Sequence, residues 1–324
     1  MSRRGFCLVL LAATLIGGTA GVQSAPQDTP QQDTLKVSVP QRGAWDTGVA
    51  ELGQRGGIFK KHGLTLEILY TQAGPESIQS VIADSMDIAT ATGAAAAIGT
   101  YAKGAPIRLI GSEMVGSPDL YWYVLPNSLV RKIADFNGKT VGYSATGSSS
   151  HTGLLELIKQ YDLKVTPVAL GGMQATFTQT MTGQVDIGWG AAPFGLDAAN
   201  DGRIRIVARG TDVDVMRERT ARVNLTSVRV LEKRKDAIVR FMRAYRETIE
   251  WMYADPTALR IYAEFSGLPD SVVQQVRAFI PKDSMSPDRI AGLDSIVADA
   301  IKNKFLSAPL TAEQIKELVQ IPAR

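Results

Sequence analysis

The feature that most constrains the fold of this chain is a series of alternating strands and helices that occurs twice. The first series runs from an alternating apolar and polar strand at 35–39 to a short strand at 86–89. The second runs from a strand at 139–143 to the tripeptide Val185-Asp186-Ile187, which resembles Met86-Asp87-Ile88 in the first. Strands that alternate with helices at this spacing predict an α/β architecture with largely parallel sheets. Two similarly ordered α/β lobes are the simplest account, and 324 residues suffice for about two domains.

The N-terminal segment has the pattern of a secretory signal peptide. Arg3-Arg4 precedes an apolar run, Phe6 to Ile16, which leads into small residues. The run is shorter than the roughly 20 residues that a membrane-spanning helix needs. We therefore predict a signal peptide over residues 1–24, with cleavage after Ala20 as the alternative, and export to the periplasm. Residues 25–34 are Pro- and Gln-rich and are predicted to form a disordered leader.

Removal of that segment changes the composition on which function can be judged. The full chain has 35 Lys and Arg against 32 Asp and Glu, with two His and one Cys. Without Arg3, Arg4 and Cys7 there are 33 basic and 32 acidic residues, a net charge of +1, and no thiol. A nearly neutral chain lacks the basic field of nonspecific nucleic-acid binders, so we expect no nucleic-acid partner. The absence of cysteine excludes a disulfide framework and a Cys-based zinc site, and we expect neither a metal nor a cofactor.

The last third of the chain is predicted to be mainly helical. Apolar residues recur at helical spacing between 236 and 253, and Asp255-Pro256 ends this helix. A last helix is predicted to begin at Thr311, because Thr311 and Gln314 have the spacing of a capping box. Ten Arg and Lys lie within residues 203–235, which we interpret as a solvated face.

Two motifs resemble catalytic or cofactor loops but depart from them. The segment 142–146 (GYSAT) lacks the second glycine of a G-x-S-x-G nucleophile elbow. His62 and His151 are the only histidines, and neither lies near the C-terminus, where a hydrolase of this order places its base. The segment 188–193 (GWGAAP) has proline where a dinucleotide loop has its third glycine. The sequence therefore disfavours a serine hydrolase and a dinucleotide-binding enzyme.

A run of small hydroxyl residues forms a better candidate site. Residues 144–152 (SATGSSSHT) lie between a strand and a helix, where hydroxyls and unpaired backbone N–H groups favour an anion. Helix capping alone is the other interpretation of this run. Residues 90–93 occupy the corresponding junction in the first series, and both junctions follow carboxyl ends of strands, where open α/β sheets bind ligands. Trp45 and Trp189 follow equivalent strands and either wall the same cleft or serve in packing.

Four segments occur in an order that is typical of one family. They are residues 57–64 (GIFKKHGL), the Asp-Ile pair at Asp87, residues 136–142 (FNGKTVG) and residues 183–187 (GQVDI). In this order the chain resembles the periplasmic solute-binding proteins of the nitrate, sulfonate, taurine and thiamine-precursor uptake (NMT1/THI5-like) family. The resemblance covers most of the chain after residue 35.

The resemblance implies a type II periplasmic binding protein fold, with two α/β lobes joined by two hinge crossovers and a ligand cleft between them. Residues 35–117 and 212–265 are then expected to form the first lobe, residues 118–211 the second, and residues 266–324 C-terminal helices that pack on the lobes. It further implies a monomeric substrate-binding component of an ABC importer. Such a protein closes on a small organic solute and delivers it to an inner-membrane permease, so we expect no enzymatic activity.

The resemblance also implies which residues line the cleft. In the family these residues follow the first strand, the two Asp-Ile pairs and the strand before the serine run. The site residues expected on this basis are Gln41, Arg42, Trp45, Thr92, Gly93, Ser144, Thr146, Gly147, Ser148, Ser149, Ser150 and Trp189. Hydroxyls and helix N-termini favour a sulfonate, a carboxylate or a similar anion. Two tryptophans would also accommodate a flat ring, so the choice between an alkanesulfonate and an aromatic acid stays open.

Two hypotheses of other classes compete with a binding protein. An enzyme related to thiamine-pyrimidine synthesis would share the fold, but that enzyme group carries a cysteine-rich segment, which the mature chain lacks. A ligand-sensing domain of a transcription factor would be accompanied by a helix-turn-helix segment. None is recognisable before residue 35, where the export signal lies instead.

Overall fold

A computed structural model of the protein describes residues 32–323. The predicted signal peptide and residues 25–31 of the predicted leader lie outside this range. Asp33 and Thr34, at the end of the predicted leader, belong instead to the first strand, because they pair with the neighbouring strand at Leu64 and Thr65.

The described part of the chain alternates strands and helices over most of its length. The strands are β1 (Asp33–Pro40), β2 (Leu64–Thr71), β3 (Ile88–Gly93), β4 (Ile107–Val115), β5 (Leu120–Val124), β6 (Thr140–Tyr143), β7 (Thr166–Ala169), β8 (Gly188–Ala191), β9 (Arg205–Arg209) and β10 (Thr220–Ser227). The helices are α1 (Val49–Arg55), α2 (Ile58–Lys61), α3 (Gly74–Ile82), α4 (Ala94–Ala102), α5 (Ser149–Tyr161), α6 (Met173–Met181), α7 (Leu196–Asn200), α8 (Val228–Lys233), α9 (Lys235–Ala254), α10 (Pro256–Ser266), α11 (Asp270–Val273), α12 (Val276–Phe279), α13 (Leu293–Lys302) and α14 (Ala312–Leu318).

The first sheet has five strands in the order β2-β1-β3-β10-β4. The first strand is parallel to both of its neighbours, whereas β10 runs antiparallel to β3 and β4. Leu35, Val37 and Val39 alternate along β1 and pack into a buried cluster with the apolar stripe of α9. Ile78 and Ala97, from α3 and α4, belong to a separate buried cluster that also contains Ala89 of β3. Helices therefore cover both faces, as is usual for a sheet with parallel strands.

The second sheet combines a three-stranded unit, β8-β5-β9, with the parallel pair β6-β7. A parallel bridge between Val141 and Ile187 joins the two parts. All five residues of β5 are buried, with Trp122 in one apolar cluster and Tyr121 and Tyr123 in another. This uninterrupted apolar run reflects a strand that is covered on both faces.

The chain passes between the two sheets twice. Strands of the first sheet come from residues 33–115 and 220–227, and those of the second from residues 120–209. The two connecting segments lie side by side, because Gly116 N donates to Arg219 O at 2.9 Å. A Cβ atom on Gly210 would lie 2.3 Å from Ser117 O, so this position accepts only glycine without a shift of the backbone.

The C-terminal helices pack on elements of both sheets. Helix α13 contacts α4, and Gln320 N donates to Leu109 O of β4 at 2.8 Å, whereas Val272 packs with Tyr121 of the second sheet. The capping box predicted at the start of α14 is confirmed, since Thr311 and Gln314 each accept a hydrogen bond from the other's backbone N–H. Within residues 32–323, no helix combines the length and the apolar character needed to cross a membrane.

Candidate functional site

A cleft lies at the carboxyl ends of β1, β3, β6 and β8, so residues of both sheets form its walls. It encloses about 470 Å³, including its opening to solvent. Its lining comprises Pro40, Gln41, Ala44, Asp46, Thr47, Ala73, Gly74, Ala91, Gly93, Asp119, Leu120, Ser144, Ser148, Ser149, Ser150, Trp189, Ala191 and Arg222. This is the location at which open α/β sheets bind ligands.

The guanidinium of Arg222, on β10, is the centre of the polar contacts in this cleft. It donates from Nη1 to Asp46 Oδ2 at 2.7 Å and from Nη2 to Asp119 Oδ2 at 2.5 Å. Its Nε donates to Ser149 Oγ at 3.3 Å, and Glu113 Oε2 lies 3.9 Å from Nη1. One buried side chain thereby connects the loop after β1, the first connecting segment and the start of α5.

The charges of this cluster are unequal, because three buried carboxyl groups surround one cation. Burial raises the pKa of Glu113 well above its usual range, and the nearby charge of Asp46 raises it further. Burial also raises the pKa of Asp46 to about 6, against the opposing effect of the Arg222 guanidinium. Burial alone would lower the pKa of Arg222, but Asp119, Asp46 and Glu113 outweigh it and raise that pKa. Asp46 and Glu113 are therefore both more easily protonated than ordinary carboxyl groups.

Three buried polar atoms of cleft residues have no hydrogen-bond partner among residues 32–323. They are Asp46 Oδ1, Asp119 Oδ1 and Trp189 Nε1, and the residues that carry them are 1%, 1% and 3% exposed. Buried polar groups in proteins are normally paired, so unpaired atoms in a cleft point to groups that enter it. Two of these atoms accept hydrogen bonds and one donates.

The serine run at the start of α5 is partly bonded to itself. Ser148 is the N-cap, and its Oγ accepts from His151 N at 3.2 Å. Ser150 Oγ accepts from Ser144 N at 2.9 Å and lies 3.0 Å from the hydroxyls of both Ser144 and Ser148. Capping and loop closure therefore account for three of the serines. The backbone N–H groups of Ser149 and Ser150 have no partner in the described chain, as expected for a helix N-terminus.

Contacts across the cleft bring the two sheets together at its mouth. A Cβ atom on Gly93 would lie 2.7 Å from Gly147 O and 3.1 Å from Ser149 N, so the two strand-to-helix junctions meet backbone to backbone. Gln41 Oε1 accepts from Met173 N, at the start of α6, at 3.3 Å.

Two non-glycine residues of the lining have left-handed backbone conformations. They are Gln41, with a φ of 58°, and Ala91, with a φ of 51°. This region is uncommon for residues with a Cβ atom and is often strained at ligand sites.

Comparison with known proteins identifies the family. The family model NMT1/THI5 like matches residues 51–259, about two thirds of the chain. The chain belongs to this family. An aliphatic sulfonates-binding protein of Escherichia coli (strain K12) is 26% identical over 235 residues, which cover 70% of this chain and 71% of that protein.

Solved structures with the same architecture cover almost the whole described part of this family member. The alkanesulfonate-binding protein of Xanthomonas axonopodis pv. citri, solved with bound MOPS, superposes with a TM-score of 0.74 at 20% identity over 89% of this chain and 98% of that one. The nitrate-binding protein of Synechocystis PCC 6803 gives 0.72 at 11% identity, over 90% and 87%. The predicted family resemblance and the predicted periplasmic binding protein fold are thereby confirmed.

Most of the site residues expected from the sequence of this NMT1/THI5-like protein lie together. Those in the cleft lining are Gln41, Gly93, Ser144, Ser148, Ser149, Ser150 and Trp189. Thr146 and Gly147 instead line an adjoining cavity, together with Ala96 and Phe305.

The remaining three expected residues lie outside the cleft lining. Trp45 is fully buried, with its Nε1 donating to Tyr253 OH at 3.1 Å and its ring edge-on to Tyr262. Thr92 is also buried, and its hydroxyl is bonded within the first sheet. The Arg42 guanidinium stacks on a ring of α10, 4.8 Å from the ring centroid, beside a neighbouring cavity. In this structure all three are packing residues.

The charged cluster was not expected from the sequence. Residues 203–235 were expected to form a solvated face, and six of their ten Arg and Lys residues are exposed, but the prediction fails for Arg219 and Arg222, which are each 5% exposed. Arg222 lies within β10 (TARVNLTS), and Arg219 directly precedes this strand, in which apolar residues alternate with polar ones. That alternation was the available signal, because an arginine within a buried strand requires a partner.

Proposed function

We propose that this protein is the substrate-binding component of an ABC importer, exported to the periplasm, that captures a small organic solute with an anionic group and delivers it to a permease. The observation that carries the proposal is the cleft at the carboxyl ends of strands from both sheets, between which the described part of the chain crosses twice through adjacent segments. The sulfonate-binding and nitrate-binding proteins of similar fold support the same assignment.

Capture is proposed to occur by closure of two lobes. The first lobe would comprise residues 35–117 and 212–265 and the second residues 118–211, with the connecting segments 116–119 and 210–219 as the hinge. A solute that contacts both lobes favours the closed arrangement, because only closure completes its set of contacts. The contacts of Gln41 and Arg222 across the cleft are of the kind that such closure would form.

The anionic group is proposed to bind at the N-terminus of α5. This helix has thirteen residues, and the backbone N–H groups of Ser149 and Ser150 at its start are unpaired. The unpaired Nε1 of Trp189 would supply a further donor from β8. A sulfonate or carboxylate would accept these hydrogen bonds in the favourable field of the helix end.

The arrangement of the serine run also supports binding rather than nucleophilic catalysis. His151 Nδ1 accepts from Gly147 N at 3.1 Å, so it is engaged with the loop and does not activate a hydroxyl. Ser144 Oγ is paired with Ser150 Oγ instead of a base. A hydrolase elbow needs a base within hydrogen-bond distance of its nucleophile.

A thermal-shift screen tests the proposed function. Alkanesulfonates, nitrate, taurine, pyrimidines and aromatic carboxylates would each be added to the mature protein, and a true ligand at a hundredfold excess over its Kd should stabilise it by about 2.7 kcal/mol. Absence of a shift with every compound, together with turnover of one of them, would contradict the proposal.

Two tryptophan variants test the position of the cleft. Trp189→Phe keeps an aromatic ring but removes the unpaired N–H, so the Kd of a ligand found in the screen should rise about fivefold to tenfold at nearly unchanged stability. Trp45→Phe is the matched control. It removes the bond to Tyr253 and should lower the free energy of unfolding by about 1–2 kcal/mol while the Kd stays constant. Calorimetric titration and urea unfolding measure both quantities, and the reverse pattern would move the site to Trp45.

A further inference from the structure

A second ion cluster lies outside the cleft lining, where charged side chains connect helix α5 to helix α13. We infer that this cluster holds the two lobes together, so that Lys159 and Asp299 act as positioning residues that raise solute affinity without touching the solute. The inference rests on the lobe closure of the proposed function and adds residues that set its equilibrium.

The cluster joins four charged side chains of three chain segments. Lys159 Nζ donates to Asp299 Oδ1 at 3.0 Å and to Glu156 Oε2 at 3.3 Å. Arg219 Nη1 donates to Asp299 Oδ2, and its Nη2 lies 3.6 Å from Glu156 Oε1. Glu156, Arg219 and Asp299 are buried, whereas the side chain of Lys159 is about half exposed. Helix α5, the second connecting segment and α13 therefore meet through charges.

Helix α13 is attached to the first lobe. Its residues Ile296 and Ala300 belong to the same buried apolar cluster as Ala97 of α4. Just before the helix, Thr220 N donates to Ala291 O at 3.0 Å, and Ala291 N donates back to Thr220 Oγ1 at 2.9 Å. Any movement of the first lobe therefore carries α13 with it.

Helix α5 is attached to the second lobe by its opposite side. Leu154 and Leu157 lie in the apolar cluster of the second sheet. Thr152, Glu156 and Lys159 recur at spacings of four and three residues, which places them on one face of the helix. The acidic and basic side chains of this face reach Arg219 and Asp299, so it is the face that the second lobe presents to the first.

A cavity of about 430 Å³, including its opening to solvent, lies between α4, α5, α13 and the second connecting segment. Thr152, Arg219 and Asp299 are among its lining residues. The ion cluster bridges it near the end of α5. Near the start of α5, the rings of Phe305 and His151 meet edge-on, with their centroids 5.9 Å apart. The C-terminal segment thus contacts α5 at two levels.

The direction of the expected effect follows from the way the helices are attached. The N-terminal junctions of α4 and α5 meet across the cleft at Gly93 and Gly147, so opening of the cleft would move α5 away from α4. Since α13 packs on α4, the same motion would separate Lys159 from Asp299. The cluster is complete only when the lobes are together, and it therefore favours the closed arrangement.

The charges of the cluster show which contact carries this effect. Burial raises the pKa of Glu156, and the charge of Asp299 raises it further, against the opposing charges of Arg219 and Lys159. Burial would also raise the pKa of Asp299, but hydrogen bonds from Arg219 and Lys159 outweigh it and lower that pKa. Asp299 is therefore the carboxylate that stays ionised, and its hydrogen bond from Lys159 is charge-assisted.

Replacement of Lys159 by methionine tests the inference in the mature protein. Calorimetric titration with ethanesulfonate, 2-aminoethanesulfonate, nitrate and benzoate measures the Kd, and small-angle X-ray scattering measures the radius of gyration without solute. The Kd of any of these that binds should rise about threefold to tenfold. Lys159→Arg retains the cation and should restore the wild-type value. Lys164→Met, an exposed position of the same lobe, is the matched control and should leave both quantities unchanged.

The two readouts are complementary. If the free protein is mainly open, the lost contact raises the Kd; if it is mainly closed, the loss appears as a larger radius of the solute-free protein. An unchanged Kd together with an unchanged radius would overturn the inference and leave the proposed function in place, and a lower Kd would overturn it as well. If the wild type bound none of the four solutes, the proposed function would fail. A larger radius in Lys159→Met would then still support the inference, and an unchanged radius would overturn it.

A double-mutant cycle tests whether Asp299 is the partner through which Lys159 acts. Asp299→Asn keeps the size of the side chain but removes its charge. In that background Lys159→Met should change the Kd by less than about twofold, because the contact is already lost. The full threefold to tenfold effect in both backgrounds would contradict the assignment of Asp299.

Discussion

Replacement of Arg222 by methionine should lower the free energy of unfolding by about 3–5 kcal/mol, because it removes one partner of a buried ion cluster. The guanidinium is the shared donor of Asp46 and Asp119, both of which are almost fully buried. Without it, two carboxylates would be left in the interior with no cation to offset the cost of desolvation. Methionine fills a similar length, so a cavity contributes little to the expected effect.

Urea unfolding and thermal melting measure this effect. The direction in which the stability of the variant changes with pH can also be predicted. Loss of the cation raises the pKa of Asp46 in the native state further above its unfolded value, because the guanidinium opposes the effect of burial on that carboxyl. The stability of Arg222→Met should therefore fall more steeply between pH 5 and 8 than that of the wild type. Arg203→Met is the control, because its ion pairs with Asp197 and Asp201 are largely exposed and should be worth less than about 1 kcal/mol. Equal effects of the two substitutions would show that the cluster does not stabilise the fold.

The alternation of strands and helices could be predicted because each element is determined by the apolar pattern of its own segment. Strands β1 and β6 lie within about two residues of their predicted positions, 35–39 and 139–143, since each is a short apolar run bounded by polar or glycine residues. Helix α9, predicted over 236–253, spans 235–254 for the same reason, as its apolar stripe has an uninterrupted helical period.

The charged centre of the cleft could not be predicted in this way. Asp46, Glu113, Asp119 and Arg222 are separated by up to 176 residues, and only the pairing of β10 between β3 and β4 brings the last of them to the others. None of the four stands in a local motif. These four residues lie close together because of the strand order, which the hydrophobic pattern of each segment does not specify.

The two tryptophans illustrate the same limit on a smaller scale. Trp45 and Trp189 are associated with equivalent strands, so the sequence treats them alike. Tyr253 and Tyr262, more than 200 residues away along the chain, pack on Trp45 and make it a core residue. In contrast, Trp189 lines the cleft, and its Nε1 has no partner in the described part of the protein.

Substitution of Gly93 by alanine should raise the Kd of a bound solute about tenfold or more. The added Cβ atom would lie 2.7 Å from Gly147 O and 3.1 Å from Ser149 N, and both of these are backbone atoms of the opposite side of the cleft. Overpacking of this kind costs about 1–3 kcal/mol where the neighbours cannot yield. On the proposed closure mechanism the conflict exists only when the lobes are together, so it disfavours the binding-competent state by that amount.

Gly53→Ala separates this effect from ordinary destabilisation. Its Cβ atom would lie 2.3 Å from Thr248 Oγ1 and 2.7 Å from the Phe59 ring, so the conflict is confined to the packing of the first sheet. It should lower the free energy of unfolding by about 1–3 kcal/mol at unchanged Kd, whereas Gly93→Ala should change stability by less than about 1 kcal/mol. Calorimetric titration and small-angle X-ray scattering with saturating solute measure affinity and compaction. If Gly93→Ala bound and compacted like the wild type, the contact between the two junctions would have no part in closure.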